Sequence, residues 1–254
     1  MSAGLAGRTA LVTGGGSGLG RAMCLALSAA GARVIAAGRR REALAETVEL
    51  LPEPGRAAVV DVGDPDSVAA LAAELAEEQV GVLVNNAGVP GPVRNLVDVE
   101  PGEWDEVFAV NVRGTYLMCR AFLPAMIAAG RGDVVNVASV SGKRPLTART
   151  PYCASKMAVL GLTTTLAAEA GPHGVMVNSL SPGPVDGPRM ERNFRLEAER
   201  SGISSEQAER AFVARAALGR MVTETEVATA LVAMLGMPGL CAADIDLSAG
   251  MVAR

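Results

Sequence analysis

A tyrosine and a lysine stand four residues apart, as Tyr152 and Lys156, and Ser139 precedes the tyrosine. Residues four apart lie on the same face of a helix. There a lysine ammonium stabilises a phenolate and can lower the pKa of the tyrosine toward the working range of a general acid. Chance Tyr-x-x-x-Lys matches are common, but this chain holds only 2 tyrosines. The group therefore indicates proton transfer.

A glycine-rich segment far upstream of this pair could hold a nucleotide. An uncharged apolar run, typical of a strand buried in a parallel sheet, is joined to an alanine-rich helical stretch through Gly14, Gly18 and Gly20. Such a strand-to-helix turn lets a pyrophosphate lie against the helix N-terminus. Leu19 occupies the place of the last glycine of the usual dinucleotide fingerprint, so an ordinary glycine-rich turn is the alternative.

The length suits one large α/β domain or two small ones, and the composition excludes several classes of protein. Half of the 254 residues are hydrophobic and only 3% are aromatic, so Ala, Val and Leu must build the core. The net charge of -4 offers no basic field for nucleic acid. The 4 cysteines form no Cys-x-x-Cys pair and the single histidine, His173, lacks neighbouring ligand types, so no metal site is expected. No membrane segment or secretory pattern is present, which predicts a cytoplasmic chain.

Small or polar residues end several predicted strands, and these ends meet at one edge of a parallel sheet. The further strands cover residues 33–37, 57–60, 80–84 and 133–139. After the second strand, the acid that would bind a ribose hydroxyl is absent: Gly38 stands in its place, and Arg39 follows. Arginine accommodates a 2′-phosphate there, although it also suits the solvated start of a helix. Asp61 follows the third strand. Asn85 ends the fourth, where its amide could tie strands together, line a cofactor, or do both.

Residues 100–123 carry apolar side chains at helical intervals, with Asn111 among them. An asparagine inside an apolar helix is costly unless its amide is hydrogen-bonded. Two interpretations stay open: a satisfied polar group in the core, or a residue that kinks the helix and holds a water molecule.

Taken together, these features resemble the short-chain dehydrogenase/reductase family. The residues that carry the resemblance are Thr13-Gly14 with Gly18 and Gly20, Asn85-Asn86-Ala87-Gly88, Asn111, Ser139, Tyr152 with Lys156, and Pro182-Gly183. They cover nearly the whole chain in the order and spacing of the family. The resemblance implies a Rossmann-type doubly wound α/β domain over residues 1–254, with a seven-stranded parallel sheet flanked by helices.

The resemblance also implies a reaction and a role for each residue. The expected enzyme transfers a hydride between a nicotinamide cofactor and a ketone or aldehyde, or a secondary alcohol. Tyr152 would donate or accept the proton, and Ser139 would bond the reacting oxygen. Lys156 would hold the nicotinamide ribose, and Asn111 would position a water beside that lysine.

NADP is the expected cofactor, with NAD as the alternative. The residues predicted to contact it are Gly14, Gly16, Ser17, Gly18, Leu19, Gly20, Arg39, Asp61, Val62, Asn85, Ala87, Tyr152, Lys156 and Val185. Val185 stands in for the threonine that the family often places after Pro-Gly, because its backbone could still meet the carboxamide.

Residues 186–215 are charged and helix-forming, and the resemblance makes this segment a substrate lid. Its arginines either clamp an anionic substrate or form a solvated helix face: Arg189, Arg192, Arg195 and Arg200. Arg144 and Arg149, close in sequence to Tyr152, favour the first interpretation.

The helix after Tyr152 is apolar around much of its circumference, which together with the resemblance predicts a homotetramer or a homodimer. A second hypothesis for the function is a cofactor-binding regulatory protein without catalysis. The intact Ser139, Tyr152, Lys156 and Asn111 argue against it.

Overall fold

The computed structural model describes residues 4–144 and 146–251, which form one parallel β-sheet with helices on both faces. The strands are β1 Thr9–Thr13, β2 Arg33–Gly38, β3 Arg56–Val59, β4 Val80–Asn85, β5 Gly132–Val137, β6 Val175–Pro182 and β7 Asp244–Leu247. The α-helices are α1 Gly18–Ala29, α2 Arg41–Glu49, α3 Pro65–Glu74, α4 Pro101–Phe108, α5 Gly114–Ala129, α6 Thr150–Ala170, α7 Pro188–Ser201, α8 Ser205–Val213 and α9 Glu224–Leu235. Short 3₁₀ turns lie at Leu96–Asp98, Val140–Gly142 and Gly171–His173.

The strand order is β3-β2-β1-β4-β5-β6-β7, and every neighbouring pair is parallel. The chain builds outward from β1 to β3, returns, and adds β4 on the other side of β1. Two diverging connections therefore leave a crevice between the carboxyl ends of β1 and β4, which is where open α/β sheets bind ligands. The predicted doubly wound, seven-stranded fold is confirmed.

Alternate residues of each strand contribute to two separate hydrophobic layers, one on each face of the sheet. In β1, Val12 packs with α1, α2 and α9 on one face, whereas Leu11 packs with α3, α5 and α6 on the other. Because both faces are covered, the central strands are almost free of charged residues. Fully buried leucines such as Leu27 and Leu231 each contribute roughly 1.5–3 kcal/mol, and they hold the helices that frame the crevice.

Local features of the backbone mark where helices end and begin. Gly31, two residues after α1 ends, has φ +92°, a conformation that favours glycine and commonly follows a helix C-terminus. Asp64 caps α3 by accepting a hydrogen bond from the Asp66 backbone N–H at 3.0 Å. The predicted helix over residues 100–123 consists of α4 and α5 joined by a turn of π-helix at Ala109–Arg113.

Candidate active site

A cleft of about 940 Å³ lies along the carboxyl edge of the sheet. Loops that follow the first six strands line it, so residues far apart in sequence meet there. Nearly all of the predicted cofactor contacts belong to the lining: Gly14, Gly16, Ser17, Gly18, Leu19, Gly20, Arg39, Asp61, Val62, Ala87, Tyr152, Lys156 and Val185. Ser139 lines it as well, whereas Asn85 and Asn111 do not.

The glycines of the β1–α1 turn are required by close packing. A Cβ at Gly20 would overlap the carbonyl oxygen of Gly14 and lie 2.7 Å from Asn86 Nδ2. Gly14 itself has φ +70°, a region that favours glycine. Ser17 precedes α1 without capping it through its side chain. The turn is therefore a cradle of bare backbone at a helix N-terminus, which fits a phosphate group.

Thr13 and Asn86 tie this turn to the end of β4. Thr13 Oγ1 accepts hydrogen bonds from the backbone N–H groups of Asn86 and Ala87, both at 3.0 Å. Asn86 Nδ2 donates to the Thr13 carbonyl oxygen at 3.0 Å. Asn86 lines the cleft, although the sequence analysis did not single it out as a cofactor contact.

The prediction that Asn85 lines the cofactor site is not supported by its position. Asn85 is only 4% exposed. Its Nδ2 donates to Asn136 Oδ1 at 2.9 Å and to Cys119 Sγ at 3.3 Å, so it links β4 to β5 inside the sheet layer. Its other predicted role, tying strands together, is the one that the structure shows. Successive side chains of a strand alternate between faces, and the cleft receives Asn86 instead.

Arginines follow the end of β2, where Arg39 was predicted to bind the 2′-phosphate of the cofactor. Arg39 lines the cleft and is exposed. Arg40 also lines it, and its Nη2 donates to Ser17 Oγ at 2.9 Å. A basic side chain thus reaches the glycine turn from the next strand. Arg41 begins α2 on the exposed surface and is not part of the lining.

Tyr152 and Lys156 lie in the first turns of α6, with Ser139 at the end of the segment that follows β5. Lys156 is 5% exposed; its Nζ donates to the Val137 carbonyl oxygen at 2.7 Å and lies 5.8 Å from the centroid of the Tyr152 ring. Ser139 Oγ accepts from the Ser141 backbone N–H at 3.1 Å. The structure brings all three residues to one wall of the cleft.

Asn111 lies in the π-turn behind this wall and is 1% exposed. Its Oδ1 accepts from the Val89 backbone N–H at 2.8 Å, while its Nδ2 donates to the Val89 carbonyl oxygen and to Ser155 Oγ, both at 3.0 Å. The amide is therefore a satisfied buried group, as one interpretation of the sequence held. It is also near the lysine, since a Cβ on Gly88 would be 3.1 Å from Asn111 Oδ1 and 3.7 Å from Lys156 Nζ.

A carboxylate that the sequence analysis missed also borders the cleft. Glu224 begins α9, and its Oε1 would be 3.4 Å from a Cβ on Gly18. Burial raises the pKa of Glu224 above its ordinary value. The capping box between Thr223 and Glu226 marks this helix start in the sequence, but only the fold brings it beside the glycine turn.

The far end of the cleft, beyond the tyrosine, is rich in arginine. Arg144, Arg149, Arg200 and Arg215 line it. Of the other predicted lid arginines, Arg192 and Arg195 lie on the exposed face of α7, outside the lining, and the side chain of Arg189 lies outside the described part of the structure. The lid helices pack together through Phe194 and Phe212, whose ring centroids are 5.6 Å apart.

Val185 is joined to the segment before α9 by a short parallel bridge to Val222. This bridge ties the loop after β6 to the segment that leads into α9. In the two described segments, no three His, Cys, Asp or Glu side chains are grouped so as to hold a metal ion, and no helix has the length and apolar character needed to cross a membrane.

The fold, together with Ser139, Tyr152 and Lys156 on one wall of the cleft, is typical of oxidoreductases that use a dinucleotide cofactor. Residues 8–199 match the short chain dehydrogenase family, and the chain belongs to the short-chain dehydrogenase/reductase family. It is an oxidoreductase acting on CH–OH groups, as its relatives are. The hypothesis of a silent regulatory protein is therefore not retained.

Three relatives illustrate the similarity. A galactitol 2-dehydrogenase (L-tagatose-forming) from Cereibacter sphaeroides is 43% identical over 184 residues, which are 70% of this chain and 72% of that enzyme. The structure of actinorhodin polyketide ketoreductase with NADPH has a TM-score of 0.90 at 33% identity and covers 96% of this chain and 97% of its own. NAD+-bound xylitol dehydrogenase has a TM-score of 0.91 at 26% identity, over 97% and 99% of the two chains.

Proposed function

We propose that this enzyme interconverts a ketone or aldehyde with an alcohol, with NADP(H) preferred over NAD(H). The observation that carries the proposal is the meeting of Ser139, Tyr152 and Lys156 on one wall of a cleft whose other end is the glycine cradle. The bare backbone around Gly14 and Gly20 fits a pyrophosphate. Bound there, the nicotinamide group supplies or accepts the hydride.

The protein itself orients the substrate and moves one proton. In reduction, Tyr152 donates its phenolic proton to the substrate's carbonyl oxygen, and in oxidation it takes the hydroxyl proton. Ser139 Oγ donates a hydrogen bond to that oxygen. The ammonium of Lys156, anchored on the Val137 carbonyl oxygen, stabilises the phenolate electrostatically and binds the nicotinamide ribose hydroxyls.

Asn111 acts through its neighbours. Its amide is hydrogen-bonded to the backbone of Val89 and to Ser155, and Ser155 Oγ donates to the Tyr152 carbonyl oxygen at 2.8 Å. We propose that this network fixes the start of α6 and holds a water that connects Lys156 to solvent.

The cofactor preference rests on charge at the end of β2. The solved relatives include one with NADPH and one with NAD+, so the choice must come from this chain's own residues. Gly38 lines the cleft where an acid would repel a 2′-phosphate, and Arg39 and Arg40 follow it. Arg40 Nη2 donates to Ser17 Oγ at 2.9 Å, so a second guanidinium group lies near the glycine turn. Both features favour NADP.

We further propose that residues 1–254 form one domain in which residues 186–215 act as a substrate lid. Helices α7 and α8 occupy this segment and border the cleft.

We also propose a homotetramer in the cytoplasm. The exposed face of α6 carries Met157, Gly161 and Ala168 and little charge, which suits a subunit contact. Light scattering and localisation of the tagged protein test these two points.

The decisive test of catalysis is Tyr152→Phe, measured on any alcohol or carbonyl compound that the parent converts. Loss of the proton donor should reduce kcat by a factor of about a thousand or more. Tyr116→Phe is the matched control because Tyr116, the other tyrosine, is 47% exposed and outside the cleft lining. Near-parent activity of Tyr152→Phe would refute the assigned role.

The role of Lys156 needs a second readout. Lys156→Ala should weaken cofactor binding as well as turnover, because the ammonium is proposed to bind the ribose and to stabilise the phenolate. Isothermal calorimetry with NADP+ measures the first effect. A turnover defect at unchanged cofactor affinity would exclude the ribose contact.

A further inference from the structure

Two arginines at the substrate end of the cleft share a lining that also carries the carboxylates of Asp186 and Glu197. Arg144 and Arg215 both belong to the lining. Although the Arg215 side chain is exposed at the mouth of the cleft, partial desolvation and the positive charge of Arg144 lower the pKa of Arg215 below its ordinary value. Guanidinium groups stay protonated at neutral pH, so two like charges lie close to each other. Solvent reduces the repulsion between them, and an anion bound between the two groups would replace it with attraction.

Neither arginine forms an ion pair with residues 4–144 or 146–251. The contrast with Arg200 is informative, because Arg200 lines the same cleft and is paired with Glu197 at 2.6 Å. The chain has more acids than bases, 27 against 23. A shortage of carboxylates therefore does not explain why these two arginines are left without one.

The structure also holds both guanidinium groups in place before any ligand arrives. Arg144 Nη1 donates to the Met251 carbonyl oxygen at 2.6 Å. The Arg215 guanidinium lies 5.5 Å from the centroid of the Phe212 ring, a cation–π contact. Each group has further N–H donors for a ligand, and preorganisation lowers the entropy cost of binding.

Resting on the proposed function, we propose that the substrate carries an anionic group, carboxylate or phosphate, that binds between Arg144 and Arg215. The planar fork of a guanidinium matches both groups bidentately. Arg144 follows Ser139 by five residues at the end of β5, so the anion and the reacting oxygen are bound by neighbouring parts of one loop. The substrate class is then a hydroxy acid or hydroxyalkyl phosphate, or the corresponding oxo compound.

The remaining lining describes the middle of such a substrate. Apolar side chains from the lid and the tail border the same space: Met190, Phe194, Ile203, Phe212 and Met251. They would contact a short alkyl segment between the anion and the reacting carbon. This anion site is distinct from the site proposed for the cofactor phosphates, which would bind at the glycine turn and Arg39 at the other end of the cleft.

The test compares substrates that differ only in charge. β-Hydroxyvalerate is assayed against β-hydroxyvaleramide, and glycerol phosphate against glycerol. The parent should show a kcat/KM about tenfold to a hundredfold higher for the anionic member of at least one pair. The pair with the larger ratio distinguishes a carboxylate from a phosphate site.

Variants then locate the charge effect. Arg144→Met and Arg215→Met should each lower kcat/KM for the anionic substrate about tenfold, with less than about a twofold change for the neutral partner or for the Kd of NADP+. Arg131→Met is the matched control, because Arg131 is exposed and precedes β5 at the opposite edge of the sheet. Equal losses for charged and neutral substrates, or a similar loss in Arg131→Met, would overturn the proposal.

A binding measurement separates this inference from the proposed reaction. Calorimetry on the NADP+ complex of Tyr152→Phe uses valerate, inorganic phosphate and valeramide as probes. If an anion binds, and Arg144→Met or Arg215→Met weakens that binding about tenfold, the anion site is supported. This holds even if the parent turns over no substrate, and in that case only the proposed reaction fails. Affinity for both anions no higher than for valeramide would overturn the site while leaving the reaction intact.

Discussion

The arginines at the two edges of the sheet differ in what they contact. At the amino edge, Arg8 pairs with Asp133, and Glu78 accepts from both Arg33 and Arg56. Each of these arginines stands at or just before the start of a strand. The amino edge is thus closed by ion pairs that the protein supplies itself.

At the carboxyl edge, Arg39, Arg144 and Arg215 line the cleft without an ion pair to any described residue. The positive charge there is available to ligands. A parallel sheet places its binding crevice at this edge, and the charge distribution follows the same division. Substitutions at the carboxyl edge should therefore change binding and turnover, whereas those at the amino edge should change stability.

Among substitutions that compare the two edges of the sheet, the largest effect is expected at the glycine turn. Gly20→Ala places a Cβ against the Gly14 carbonyl and Asn86, and the turn must shift to relieve the overlap. Because the displaced turn no longer presents its backbone to the pyrophosphate, the Kd of NADP+ should rise roughly a hundredfold, which corresponds to about 3 kcal/mol of binding free energy. Gly102→Ala is the control, since nothing lies within 4 Å of its added Cβ. An unchanged Kd for Gly20→Ala would show that the turn does not bind the cofactor.

Next in size is the loss of the amino-edge pair. Arg8→Ala should lower the free energy of unfolding by about 2 kcal/mol near neutral pH while kcat/KM stays within about twofold. Asp133 is only 5% exposed, so its carboxylate would be left buried without the Arg8 guanidinium. Urea titration and steady-state kinetics on the same preparation test both expectations, and an activity loss without a stability loss would reverse the comparison.

The stability deficit of Arg8→Ala should also depend on pH. Burial raises the pKa of Asp133 above its ordinary value of 3.8, and Arg8 opposes that rise. Without Arg8 the pKa rises further, so the folded state binds a proton more readily than the unfolded state does. Stability then falls as pH rises through the range above 3.8 and recovers as pH falls. The double variant Arg8→Ala/Asp133→Asn should lack this dependence.

Cofactor choice is the third and smaller effect. Arg39→Ala should weaken NADP+ binding about tenfold and NAD+ binding less than about twofold, because a single exposed charge-assisted contact to the 2′-phosphate is lost. Arg41→Ala, on the exposed start of α2, is the matched control. Parent protein that binds NAD+ as tightly as NADP+ would show that the arginines only face solvent.

The smallest effect separates two acids of one ion-pair group. Glu78 is 14% exposed and pairs with two arginines, whereas Glu74 is 48% exposed and pairs with Arg56 alone. Glu78→Ala should cost about 1 kcal/mol of unfolding free energy, and Glu74→Ala less than about 0.5 kcal/mol. Thermal unfolding monitored by circular dichroism measures the difference. Equal costs would mean that burial does not set the strength of these pairs.

The sequence by itself determined the fold class and most of the cleft lining. The periods of the apolar residues predicted alternating strands and helices, and alternating units of this kind form a parallel sheet whose carboxyl ends share one edge. Residues after each strand were therefore expected together, as Gly14, Asp61 and Ser139 are. The spacing of Tyr152 and Lys156 on one helix is likewise a local property, which a sequence records directly.

The tertiary structure alone decided which side chains enter the cleft and which charges are paired. Asn85 and Asn86 are adjacent, yet only the second lines the cleft, because the register of β4 against β5 turns the first toward Asn136. Arg200 has a partner while Arg144 and Arg215 do not. These outcomes depend on strand register and on helices far apart in sequence. They are set by contacts between distant parts of the chain, so the hydrophobic periodicity of a single segment does not predict them.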